Sequence, residues 1–344
     1  MVFRRSFLPA LVLGFATSLG IAQTVPVDNK DYKRAIDTVT SQSLKGHVAF
    51  LASDALAGRG TPSVGLDAAA EYIAAAYRRA GLSELPTGSY FQEFTYKDKK
   101  VKNVVGILPG TDPKLKDTYV LVTAHYDHLG VKETGEGDVI FNGANDNASG
   151  TSGLIELASA FGTGKLKPKR TIVFMAFWGE ERGLLGSREY AKTPVFPLAK
   201  TVADINLEQI GRTDDSEGPR VNAVSVTGAD FSTLGDWMKS VGKVSGVEVQ
   251  KHPQFSDAYF VASDNAALAM AGVPAHTICT AFSFADYHKV GDHWDKLDYA
   301  NMEKIVKFVG WTVLTVADAT VAPEWDAKNP KTQRFRDKRG TTGG

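Results

Sequence analysis

Residues 171–178 read Thr-Ile-Val-Phe-Met-Ala-Phe-Trp, an almost unbroken apolar run between basic residues and Gly179. A strand with one wet face alternates polar and apolar residues. One this uniformly apolar must be covered on both faces, as at the centre of a parallel sheet packed by helices. Further β-branched runs lie at 101–108, 118–124, 202–207, 223–226 and 275–280. Segments of helical pattern separate or flank them, at 41–53, 67–80 (closed by Gly81), 151–161, 232–241, 262–271 and 301–317. This alternation predicts an α/β fold, a three-layer sandwich with a mixed, largely parallel sheet and helices on both faces. There is no internal repeat and no long linker, so residues 30–320 are expected to form a single domain. The polar, basic, Gly-ended stretch 326–344 is expected to be a disordered tail.

At the other end, Arg4 and Arg5 precede an apolar run from Phe7 to Ala22, broken by Pro9 and small residues. With Gly20-Ile21-Ala22 as its exit, this is the pattern of a cleaved signal peptide over residues 1–22. It is short and interrupted for an uncleaved membrane anchor. The expected location is secreted or periplasmic, with no stable membrane association after cleavage. Cys279 is the single cysteine, which rules out an intramolecular disulfide. Its apolar surroundings favour a small buried hydrophobe over a reactive thiol. Lys+Arg and Asp+Glu both number 39, so the basic surplus of a nucleic-acid-binding protein is missing.

Four strand ends carry chemistry. The run 120–124 leads into His125-Tyr126-Asp127, the run 172–178 into Glu180-Glu181, the run 203–207 into Glu208, and the segment around Ile278 into Asp286-Tyr287-His288. In open α/β sheets the crevice beyond the carboxyl ends of the strands is where ligands bind. His125 and Asp127 share one side of an extended chain, and a nearby carboxylate is the usual partner of a metal-bound His. An acidic pair at the end of the most apolar strand needs cations or protons to relieve its repulsion, which makes Glu180 and Glu181 candidates. Asp146 sits in the loop Gly-Ala-Asn-Asp-Asn-Ala-Ser-Gly (143–150), where it could serve a turn or a helix cap. Beside the other groups it becomes a natural bridge between two metals. Other catalytic patterns are missing: there is no His-Glu-x-x-His and no Gly-x-Ser-x-Gly elbow. Residues 162–165 echo a phosphate loop, but Leu166 replaces its Ser or Thr. Phe255, Phe282, Phe284 and Tyr287 could line an apolar substrate pocket or belong to the core.

The segments TAHYDHLG (123–130), GANDNASG (143–150), FWGEERGLLGS (177–187), NLEQIGR (206–212) and DYHKVGDHWD (286–295), in this order, resemble metallopeptidase family 28, the dizinc aminopeptidases. LASDALAGRGT (51–61) looks like the lead-in of bacterial members. The resemblance implies two Zn²⁺ per chain, with His125 and Glu208 on one, Glu181 and His288 on the other, and Asp146 bridging. It implies Glu180 as general acid/base and Asp127 as the group orienting His125. Tyr287 corresponds to a position that hydrogen-bonds the reacting carbonyl in some members. The same resemblance implies a cis Asp146–Asn147 peptide bond and a closed pocket for a peptide N-terminus. Many members have Asp where this chain has Glu208, and one extra methylene moves a carboxylate by about 1.5 Å. The expected function is peptide hydrolysis from the N-terminus. Alternatives are a glutaminyl cyclase-like or carboxypeptidase-type enzyme of the same fold, and a non-catalytic binding module.

Overall fold

The computed structural model describes residues 24–338; the segment read as a signal peptide lies outside them. Eight strands form one sheet: β1 (Phe91–Tyr96), β2 (Lys99–Leu108), β3 (Tyr119–His125), β4 (Thr171–Phe177), β5 (Thr201–Leu207), β6 (Ala223–Val226), β7 (Glu248–Gln250) and β8 (Ala275–Cys279). Their order is β1-β2-β4-β3-β5-β8-β6-β7. The four central strands, β4-β3-β5-β8, run parallel, while β2 and β6 join them antiparallel on either side.

The eight principal helices are α1 (Lys30–Asp37), α2 (Ser41–Leu51), α3 (Val64–Ala80), α4 (Gly150–Thr163), α5 (Leu185–Lys192), α6 (Thr233–Ser245), α7 (Asn265–Met270) and α8 (Tyr299–Asp318). Strand β4 shows how the layers arise. Ile172, Phe174 and Ala176 join one core with Ile36, Val48, Tyr77, Leu157, Trp237 and Val309 from α1, α2, α3, α4, α6 and α8. Val173, Met175 and Phe177 point the other way, into a second core with Tyr190 of α5 and Leu268 of α7. The period-two alternation of a strand thus feeds two apolar faces at once, as its unbroken apolar sequence requires.

Boundaries shift where capping decides them. Helix α3 begins at Val64 because the Ser63 side chain accepts from the Leu66 N–H, and it ends where Gly81 takes a left-handed conformation, φ 74°. Helix α7 is shorter than the pattern at 262–271: it starts at Asn265, with Asp264 as its N-cap and both Ser263 and Asp264 buried ahead of it. Strands β1 and β7 and helices α1 and α5 were not visible in the sequence. Helix α1, for one, buries just Tyr32, Ala35 and Ile36.

The stretch read as a disordered tail differs as far as Lys338. Phe335 is buried, with its ring stacked 5.1 Å from Trp325 and edge-on to Phe260 at 5.2 Å. A single aromatic anchors an otherwise polar segment, and composition gave it too little weight. Residues 339–344 lie outside the described residues. Among the described residues, no helix is long and apolar enough to cross a membrane.

Candidate metal centre

His125 closes β3 and is fully buried. Its Nδ1 lies 3.5 Å from Asp127 Oδ1 and its Nε2 3.4 Å from Asp146 Oδ1. The other Asp146 oxygen, Oδ2, is 3.1 Å from His288 Nε2. His288 Nε2 is also 3.2 Å from Glu181 Oε2. Asp146 therefore divides its two oxygens between two sets of donors. One set is His125, Asp146 and Glu208; the other is His128, Asp146 and Glu181. In each, ligand atoms lie within 4.8 Å of one another. Glu180 belongs to neither set and borders the adjoining cavity.

His128 is the residue that sequence reasoning missed. Strand alternation would turn it away from His125, but the chain leaves the sheet after His125 and His128 N–H bonds to Arg59 O. The ring swings inward, bringing Nδ1 within 2.8 Å of Glu181 Oε1 and 3.9 Å of Asp146 Oδ2.

The Asp146 loop is held by its neighbours. Asp292 accepts from the N–H groups of Asn145 and Asp146 at 3.0–3.1 Å. Asn145 Oδ1 accepts from Gly211 and Arg212. Asn147 reaches Leu207 O and the Gln209 N–H. The Asp146–Asn147 bond is cis, in agreement with the expectation. Asp127, also fully buried, accepts from the Thr61 hydroxyl at 2.9 Å and from the Glu180 N–H at 3.0 Å.

Both ring nitrogens of His125 and of His128 are buried without a hydrogen-bond partner, as are Glu181 Oε1 and Glu208 Oε2. Buried polar atoms are ordinarily paired. Four of these atoms, His125 Nε2 and His128 Nδ1 facing Asp146 together with Glu181 Oε1 and Glu208 Oε2 of the same two sets, fit a cation, and the nitrogen and oxygen donors suit zinc. Electrostatics agree. Burial, assisted by neighbouring carboxylates, pushes Glu180 well above its ordinary range and Glu208 up to about 7. For Glu181 burial acts upward too, but His128 and His288 outweigh it and hold the group low.

A cavity of about 280 Å³ opens beside Asp146, Glu180, Glu208 and His288. Tyr259, Phe282 and Tyr287 form its walls, with Ala262, Thr277 and Cys279 among its smaller lining residues. The Tyr287 ring stacks on His288 at 4.0 Å. Of the aromatics considered from sequence, Phe282 and Tyr287 line the cavity. Phe255 stacks behind it on Tyr259, and Phe284 packs beside Tyr287 beneath Arg212. Cys279 is buried, and burial raises its thiol pKa, which leaves it uncharged.

Residues 103–313 match the description of Peptidase family M28. A probable zinc metalloprotease of Pyrenophora teres f. teres (strain 0-1) is 30% identical over 207 residues, 56% of this chain and 43% of that protein. The chain spans half or less of the length of the curated relatives it matches. Among solved structures, the LapA aminopeptidase of Legionella pneumophila aligns with a TM-score of 0.68 at 19% identity, over 86% of this chain and 77% of that one. A glutaminyl cyclase of Porphyromonas gingivalis aligns with a TM-score of 0.59 at 16% identity, over 80% and 97%. At these identities the likeness concerns the fold.

Proposed function

The chain belongs to peptidase family M28, and on that footing we propose a secreted dizinc aminopeptidase that removes N-terminal residues from peptides. The observation that carries this is the pair of ligand sets sharing Asp146 beside a cavity that Glu180 borders. His125 and Glu208 would hold one zinc. Glu181 and His288, with His128 close by, would hold the other. Bound there, the pair supplies Lewis acidity toward a water and the scissile carbonyl.

The protein's own groups do the rest. Asp127 faces His125 Nδ1, which leaves Nε2 directed at Asp146 and the metal position. Its Oδ1 also anchors the Glu180 backbone, tying the base to the same frame. Burial raises Glu180 above the ordinary carboxylate range, the direction expected of a group that both accepts and returns a proton. It takes the proton of the attacking water and delivers it to the departing amine. Tyr287, at the cavity wall, would donate to the substrate carbonyl oxygen.

Chain-end selectivity follows from charge. The lining includes Asp146, Glu180 and Glu208 but no Lys or Arg. A C-terminal carboxylate finds no cationic side chain there to pair with, so the carboxypeptidase alternative is disfavoured. The cyclase alternative shares the fold, and metal count separates it. The test joins metal analysis to a paired substrate. Dialysed protein should hold close to two zinc per chain, lose activity to a chelator and regain it with zinc. A free-amine peptide should be cleaved while its N-acetylated form survives. One zinc per chain, with a peptide beginning in Gln cyclised rather than cleaved, would point to cyclisation, and equal cleavage of the two peptides would exclude an aminopeptidase.

A further inference from the structure

Arg59 is 1% exposed, an unusual place for a permanent charge. It sits in the lead-in segment, where Ala57, Gly58 and Arg59 are all left-handed, with φ of 46°, 66° and 48°. That turn presses against two loops at once. A Cβ on Gly58 would lie 2.4 Å from Gly130 O and 2.5 Å from Phe141 O. From it the guanidinium reaches four backbone carbonyls: Tyr126 at 2.8 Å, Asn142 at 2.7 Å, Gly143 at 2.9 Å, and Leu51. Tyr126 precedes Asp127, and Gly143 begins the loop of Asp146, so the contacts fall on the backbone that presents the ligands.

None of these four bonds ends on a carboxylate. Carbonyls satisfy the N–H groups but leave the charge uncompensated, and an uncompensated buried charge is costly. The acids whose fields act on Arg59 are Asp127, Asp146, Asp292 and Glu181, all at or beside the ligand sets.

We infer that Arg59 is a fixed counter-ion of the metal centre, a built-in cation that offsets these carboxylates before zinc arrives and moderates zinc affinity afterwards. This rests on the dizinc reading above. In an interior of low effective dielectric a charge acts across several ångströms without touching its partners. Geometry adds a reason for Arg over Lys: the planar fork can serve several carbonyls while staying protonated.

The test compares wild type, Arg59→Met and Arg59→Lys, each stripped with chelator and each zinc-loaded, by thermal melting and by zinc competition against a chromophoric chelator. Both variants lose hydrogen bonds and should melt below wild type. Arg59→Met should also show a larger zinc-induced rise in Tm and bind zinc about tenfold tighter, equal to about 1.4 kcal/mol. Arg59→Lys, which keeps the charge, should retain the wild-type zinc increment. If Arg59→Met must be refolded, recovery should depend on zinc. Equal or weaker zinc binding by Arg59→Met overturns the inference, leaving Arg59 as a hydrogen-bonding clamp. So does a raised zinc increment in Arg59→Lys, or refolding of Arg59→Met that succeeds or fails alike with and without zinc. A wild type that takes up no zinc sinks the dizinc reading and this inference with it.

Discussion

Replacing Glu180 and Glu181 one at a time by Gln separates proton transfer from metal binding. Glu180 lies in neither ligand set, and the bond that holds it, from its N–H to Asp127 at 3.0 Å, is made by the backbone. Gln at 180 keeps that bond and the side-chain shape but cannot accept a proton at neutral pH. The loss should be that of general acid–base catalysis, about 10²–10⁴ in kcat, or about 2.7–5.5 kcal/mol of barrier. Zinc content should stay at the wild-type value. Glu181 is different: its oxygens lie 2.8 Å from His128 Nδ1 and 3.2 Å from His288 Nε2. Gln there removes a ligand charge, so zinc affinity should fall at least as far as for loss of a supporting residue, about 10–100-fold, and activity with it. The assay is kcat on a free-amine peptide, with zinc measured after dialysis and then titrated back. Excess zinc should partly rescue Glu181→Gln and leave Glu180→Gln unchanged. If zinc restores the Glu180 variant, or the Glu181 variant is fully metallated yet inactive, the two roles are exchanged.

Asn145→Ala should cost about 2–4 kcal/mol in denaturant unfolding of chelated protein. It strands the Gly211 and Arg212 N–H groups, now paired at 2.8 and 2.9 Å; a loss under about 1 kcal/mol would mean that water replaces the side chain. Burial lowers His276 to about 4, against the carbonyl of Thr227. A depressed His adds stability that is complete above its unfolded value near 6.5 and drains away as pH falls toward 4. Wild type should thus lose about 2 kcal/mol from this group between pH 7 and pH 5, a slope missing in His276→Asn; identical slopes would exclude it. Ala262→Phe narrows the cavity, so kcat/KM should drop far more for peptides beginning with Leu than with Ala. An equal drop for both would place the substrate side chain elsewhere.

The sequence made the centre of the sheet legible because burial on both faces writes a local signature, as at 171–178. The candidate ligands at strand ends were legible for a related reason: His125 closes β3, Glu208 follows β5 directly and Glu181 lies four residues past β4, and the α/β topology brings those ends together. What escaped depends on contacts distant in sequence. His128 reads as a turn residue until the bend after His125 is known. Asp292 is one acid among several in its segment until the Asn145 and Asp146 N–H groups meet it. Arg59 looks like an exposed basic residue in a Gly-rich stretch, and the carbonyls that bury it come from three other parts of the chain. Strand β1 was hidden for the opposite reason. As an edge strand it is largely solvated, and its pairing with β2 is the main evidence of its nature.

The loop carrying Asp146 is fastened to the turn after β5 through Asn145, Asn147 and Ser149, so a bridging carboxylate and Glu208 sit on what is mechanically one piece. Tyr259, Ala262 and Phe282, across the cavity, make none of those bonds. On the proposed reading, reaction chemistry and side-chain preference are thereby housed in separate parts, and mutation should reshape one without disturbing the other. A lineage of such proteins can change its diet while its catalytic heart is inherited intact, and a library built to alter substrate choice should vary the far wall and leave residues 143–150 alone.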